Sequence, residues 1–106
     1  MISNVSEKYT FNIVFQAFDL DYEINEYIEI EPIRANNVDE LFLKVQPLWL
    51  DSLRSLSVKF PGNTDVSLTL HCDGVVRNSD GVMDSDNFGI PQSSEIADEL
   101  IEKLDP

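Results

Sequence analysis

The chain has 106 residues, 20 acidic against 7 basic side chains, a formal net charge of -13 at pH 7 and 42% hydrophobic residues. That length suits a single domain, 1–106, burying about 65% of the surface its unfolded form exposes, and the apolar fraction separates it from disordered chains of similar charge. Such a charge repels phosphates, which argues against direct contact with nucleic acid or an anionic membrane and favours a basic protein partner. Cys72 is the only cysteine, so no internal disulfide forms and a reducing, cytoplasmic setting is expected. No apolar run approaches the ~18 residues of a membrane span, and the start MISNVSEKYTF lacks a signal-peptide pattern.

Residues 1–8 read as a polar lead. The alternation of Tyr9, Phe11, Ile13, Phe15 and Ala17 against Thr10, Asn12, Val14, Gln16 and Phe18 predicts a first strand with one apolar face, placed inside a sheet. A connection at Asp19–Asp21 leads into a second strand from Tyr22 to Glu31. There Tyr22, Ile24, Ile28 and Ile30 alternate with Glu23, Asn25, Tyr27, Glu29 and Glu31, so a wet face carries carboxylates at steps of roughly 6.6 Å. Glu26 falls on the apolar face and needs a partner, for which Arg34, Arg54 and Lys44 are candidates, or a place near the rim. Pro32 ends that strand.

Asn37 with Glu40 forms a capping box for a long amphipathic helix, whose stripe is Val38, Leu41, Phe42, Val45, Leu48, Trp49, Leu53 and Leu56. Pro47 predicts a kink or a break into Val38–Gln46 and Pro47–Leu56. Trp49 is expected in the core. After Pro61-Gly62-Asn63, a third strand carries Val66, Leu68, Leu70 and Cys72 on one face and Ser67, Thr69 and His71 on the other. Asp73-Gly74 predicts a two-residue hairpin into a short fourth strand, Val75–Arg77. Residues 78–92 form an acidic loop, and Ser93 or Ser94 caps a last helix with Ile96, Ala97, Leu100, Ile101 and Leu104 inside. The expected fold is α+β: a mainly antiparallel four-stranded sheet in β-β-α-β-β-α order, with two helices on one face.

The run Asp84-Ser85-Asp86-Asn87-Phe88-Gly89, with Glu95 closing it, resembles an EF-hand loop at its first, third, sixth and twelfth positions. Phe88 at the fifth position and Pro91 at the eighth depart from that pattern, so Asp84, Asp86 and Glu95 are only weak candidates for a metal ion. His71 and Cys72 are strand neighbours and point to opposite faces, which separates base from nucleophile. With no phosphate loop, zinc ligand set or nucleophile motif, neither an enzyme nor a cofactor is expected.

The expected partner-binding residues are Asp19, Asp21, Glu23, Tyr27, Glu29 and Glu31, with Tyr27 as an aromatic anchor. The acidic face reads equally as the solvated side of a sheet that uses charge for solubility and as a docking surface; two acidic blocks without a single cation are the feature that favours docking. In size and charge the chain is similar to phage anti-restriction and anti-CRISPR proteins and to immunity proteins of nuclease toxins, a similarity of composition carried by no motif. It implies inhibition of a basic nuclease or other nucleic-acid-binding protein by phosphate mimicry. Two alternatives stand beside it: an assembly module, such as a homodimer, with incidental acidity, and a weak calcium-binding domain.

Overall fold

In the computed structural model, which describes residues 7–20, 23–62 and 65–104, the longest alternation in the sequence becomes the central strand of the sheet. This strand, β1 (Tyr9–Phe18), buries Phe11, Ile13, Phe15 and Ala17 on one face. On one side it pairs with β2 (Asn25–Glu29) and β3 (Ile33–Ala35), on the other with β4 (Ser67–Arg77), all antiparallel. Helices α1 (Val38–Lys59) and α2 (Ser93–Leu104) follow β3 and β4. The fold is α+β with a four-stranded antiparallel sheet, in the order β-β-β-α-β-α. Residues 1–6 of the polar lead, Asp21, Tyr22 and Asn63 lie outside the described residues.

The order differs from expectation at two places, each of them a bulge. The second strand is shorter than Tyr22–Glu31, and the chain resumes pairing as β3. Val14 pairs with Glu29 and Phe11 with Ile33, so three steps along β1 correspond to four along this edge. The extra residue falls in Ile30–Pro32, where proline has no amide to lend to the ladder. On the other side Asn12 pairs with Gly74 and Ile13 with Cys72, which leaves Asp73 as the additional residue. Asp73-Gly74 is therefore not a hairpin, and β4 is one strand. Gly74 lacks the positive φ of the expected turn; a Cβ there would lie 3.2 Å from Met83 Cε, so close packing, not a turn, uses the glycine. The chain reverses instead after β4, where Gly81 adopts φ 74° and Asp80 accepts the Val82 amide at 3.1 Å.

Asn37 Oδ1 accepts the Glu40 amide at 2.8 Å, as an N-cap should, while the Glu40 carboxylate turns to Asn36 Nδ2 and not to the Asn37 amide. The expected break at Pro47 does not occur: α1 runs through it as one helix. Leu43, whose carbonyl loses its amide partner there, is 66% exposed, so the unpaired carbonyl lies on the solvent side of the helix and not in the core. Leu41, Val45, Trp49 and Leu56 are the buried stripe; Leu48 and Leu53, expected inside, are exposed. Trp49 meets Phe15 edge to face at 5.4 Å, and α2 adds Ile96 and Leu100 to the same core. Both helices cover this one sheet face.

Candidate acidic docking face

The register of β2 decides which of its side chains meet solvent. Glu26 and Ile28 stand opposite Ala17 and Phe15 on the helix-covered face, and Asn25, Tyr27 and Glu29 stand opposite Phe18, Gln16 and Val14 on the other. β4 continues these rows with Ser67, Thr69 and His71. Glu29–Val14–His71, Tyr27–Gln16–Thr69 and Asn25–Phe18–Ser67 therefore cross the open face side by side, with strands ~4.8 Å apart. His71 Nε2 lies 2.7 Å from Gln16 Oε1, and Gln16 Nε2 donates to Asn25 Oδ1 at 2.9 Å. The Tyr27 ring, 62% exposed, stands tilted 6.4 Å from the His71 ring. Tyr27 thus stands as an exposed aromatic ring on the same face as Glu29, beside His71.

The expected binding residues are not brought together as one row. Asp19 is committed locally: its Oδ1 accepts the Ile24 amide at 3.2 Å and its amide donates to the Ile24 carbonyl at 3.1 Å, closing the β1–β2 connection. Asp21 lies outside the described residues. Glu23 is exposed just before β2, Tyr27 and Glu29 share the open face, and Glu31 sits in the bulge. There it lines a different groove, of about 530 Å³, with Pro32, Lys44, Pro47 and Leu48. One inserted residue has moved Glu31 to the helix side of the sheet edge.

A second groove, of about 410 Å³, starts at Val14, Tyr27 and His71 on the open face, crosses the β4 edge at Cys72 and Asp73, and ends at Ser93, Ser94 and Ala97 of α2. Burial pushes the Cys72 thiol up to about 11, so at neutral pH it is neither a nucleophile nor a thiolate ligand. Beyond this groove α2 presents Glu95, Asp98, Glu99 and Glu102 to solvent.

Ion pairing sharpens the field of this surface. Lys44, Arg54, Lys59, Arg77 and Lys103, five of the seven cations, each lie within 4.0 Å of a carboxylate: Glu7 and Glu40, Asp51, Glu26, Asp80 and Asp39 respectively. Glu23, Glu29, Glu31, Asp73, Asp86, Glu95, Asp98, Glu99 and Glu102 have no ion-pair partner among the described residues. Side-chain hydrogen bonds from Lys103 and Arg77 hold Asp39 and Asp80 below the usual carboxylate range, and the partner cations are raised in turn. Uncompensated charge at the surface is thus almost entirely negative. The partner of Glu26 is Lys59, at 2.7 Å from the last turn of α1, and none of Arg34, Arg54 or Lys44.

Among the weak metal candidates, Asp84 is buried with both oxygens engaged. Oδ1 accepts the Val75 amide at 3.0 Å and Oδ2 the Ser93 amide at 2.9 Å. Asp84 thereby caps α2 from nine residues upstream, in place of Ser93 or Ser94, and ties it to the β4 edge. Among the described residues no group of three or more His, Cys, Asp or Glu side chains stands close enough to hold a metal ion. Sequence reasoning missed the clamp because Asp84 looked like one acid in an acidic loop. It also missed the place of His71 beside Tyr27, which depends on strand register. The chain matches no protein-family model, no curated protein and no solved structure.

Proposed function

We propose that this chain is a small acidic binding protein that docks onto a basic, nucleic-acid-handling protein and occupies the surface its phosphates would use. The observation that carries this reading is the charge balance: five of the seven cations are engaged in internal ion pairs, while nine named carboxylates have no cation within 4.0 Å among the described residues. A basic groove evolved for phosphates would gain steering and charge-assisted hydrogen bonds from such a surface. Tyr27 and Glu29 form its centre and Glu23 and Asp73 its borders, while the exposed acids of α2 add to the overall negative field. On this reading the chain binds and does not catalyse, and it needs no cofactor. Anti-restriction, anti-CRISPR and nuclease-immunity proteins act in this manner, and their similarity to this chain is one of size and charge.

The test is capture from the source cells on the immobilised protein at low and then moderate salt, with identification of what is retained. The expected result is a basic nucleic-acid-binding protein that duplex DNA or RNA displaces and that a Glu23→Lys/Glu29→Lys variant fails to retain. A retained protein indifferent to nucleic acid and to both reversals would sink the reading.

A further inference from the structure

Helix α1 carries a second apolar stripe that the core does not use. At 3.6 residues per turn, Leu43, Pro47, Leu50, Arg54 and Val58 stack on the side directly opposite Leu41, Val45, Trp49 and Leu56. Leu43, Leu50 and Val58 are 66%, 44% and 82% exposed, and Leu53 widens the stripe. Spacings of four, three, four and four residues make this a coiled-coil seam in miniature. A solvated helix face is ordinarily polar, so this one is dressed for a contact.

We infer that the occupant of this stripe is α1 of a second copy of the chain, packed antiparallel. Charge is the reason. Of the chain's seven cations three, and of its twenty acids one, lie between Leu43 and Lys59. Those three cations are each neutralised in place, Lys44 by Glu7 and Glu40, Arg54 by Asp51 and Lys59 by Glu26. On a chain of net charge -13 this is a neutral, apolar surface where a second copy can approach without setting bare carboxylates against one another. The stripe is also self-complementary. A twofold axis between Leu50 and Asp51 sets Leu43 against Val58 of the second copy, Pro47 against its Arg54, and Leu50 beside its Leu50. The Asp51–Arg54 pair, 2.9 Å apart, then meets its own copy in reverse, guanidinium towards carboxylate.

From Leu43 to Val58 the helix spans about 24 Å, a seam below the roughly 800 Å² per partner of a standard interface. The association is accordingly reversible, and it leaves both open sheet faces accessible on the resulting dimer. Its salt dependence is opposite to that of the acidic face: screening relieves the repulsion between two acidic chains and strengthens this contact.

Sedimentation of the full chain over a range of concentration, at low and high salt, tests the inference. The expected result is a concentration-dependent shift from monomer to dimer that grows with salt and is lost in Leu50→Glu and in Leu43→Glu/Val58→Glu. Those side chains face away from the core, so at concentrations where the parent chain is monomeric the thermal melts of the variants should match it. A short bis-maleimide should also cross-link Leu50→Cys into dimers, and should fail on Phe88→Cys, which is 94% exposed in the loop before α2. A monomer at every concentration, a dimer that survives the substitutions, one that salt dissolves, or equal cross-linking at both positions would overturn it. Failure of the acidic face to bind a basic protein would leave this result untouched.

Discussion

Asp84 Oδ2 accepts the backbone amide of Ser93 at 2.9 Å, while Oδ1 of the same carboxylate takes the Val75 amide at 3.0 Å. One buried side chain thus satisfies an orphan donor of α2 and an outward donor of β4, and fastens the helix to the sheet. Burial opposes its charge, but the Ser93 and Val75 amides outweigh burial and its pKa is lowered. A depressed carboxylate contributes stability above its unfolded value, about 3.9, and that contribution is lost as pH falls through the lower folded value. Asp84→Asn keeps an acceptor for one amide and turns a donor towards the other. The expected cost is about 1–3 kcal/mol, read as a melting temperature lower by roughly 4–8 °C per kcal/mol. The acid limb of stability against pH should flatten in the variant. An unchanged melt at neutral pH would show that the clamp is ornamental.

The inward position of Glu26 was legible from alternation alone, because Ile24 and Ile28 share its face whatever the pairing. The alternation of β1, the Asn37 cap and the stripe of α2 were legible for the same reason: each is a local pattern with a fixed period. What stayed hidden depends on neighbours distant in sequence. Asp73-Gly74 reads as a turn by its residue types, and only Met83 packed on Gly74 and the pairing of β4 along the whole of β1 make it a bulge. Pro47 reads as a kink or a break by residue type, whereas α1 continues through it on its exposed side. Glu31 reads as part of the acidic row until the bulge at Ile30–Pro32 turns it away. The partner of Glu26 is thirty-three residues distant, beyond any local rule.

Glu26 and Lys59 are both about half exposed, so their ion pair, although short at 2.7 Å, is screened and contributes at most about 1 kcal/mol. Glu26→Val should therefore hold or raise the melting temperature, since a β-branched apolar residue suits a position opposite Ala17. It should also promote aggregation, because β2 has no strand beyond it among the described residues and Glu26 is a charge that discourages edge pairing. A melt combined with light scattering measures both; a variant that melts lower and stays clear contradicts this account.

Pro47 stands mid-helix on the exposed side of α1, where an alanine would restore the amide to the Leu43 carbonyl and remove the ring's crowding. Part of the gain is offset by greater freedom of the unfolded chain. Pro47→Ala should raise stability by about 1–2 kcal/mol, seen as a higher denaturation midpoint at unchanged slope. A lower midpoint would mean that the ring's packing in the groove with Ile30, Pro32 and Leu48 outweighs the lost hydrogen bond.

The thiol of Cys72 is raised to about 11, by burial first and also by the nearby charges of Asp84 and Asp73. A thiol raised in the folded state lends stability that is full below its unfolded value, about 8.5, and is lost as pH climbs towards the folded value. Labelling by a disulfide reagent should be slow near pH 8 and accelerate only as pH approaches the folded value, whereas the unfolded chain labels fast throughout. Equal rates for the folded and unfolded chain at pH 8 would refute the burial of this sulfur.

Glu29 and Glu31 provide the sharpest test of the docking face, because the sequence treats them alike and the bulge separates them. Glu29 stands in the row with Val14 and His71, next to the exposed ring of Tyr27; Glu31 lines the groove with Lys44 and Pro47 on the helix side. If basic partners dock on the open face, Glu29→Lys places a like charge at the centre of the contact and should weaken binding by about tenfold or more, and Tyr27→Ala, which removes a central aromatic, should cost on the order of 2 kcal/mol. Glu31→Lys changes the net charge by the same amount from outside the contact. It should lower the association rate at low salt, recover at moderate salt, and leave dissociation unchanged. Association and dissociation rates of the three variants against the captured partner, at two salt concentrations, separate these cases. Equal losses from Glu29→Lys and Glu31→Lys would mean that net charge alone draws the partner and that the open face has no special part in holding it.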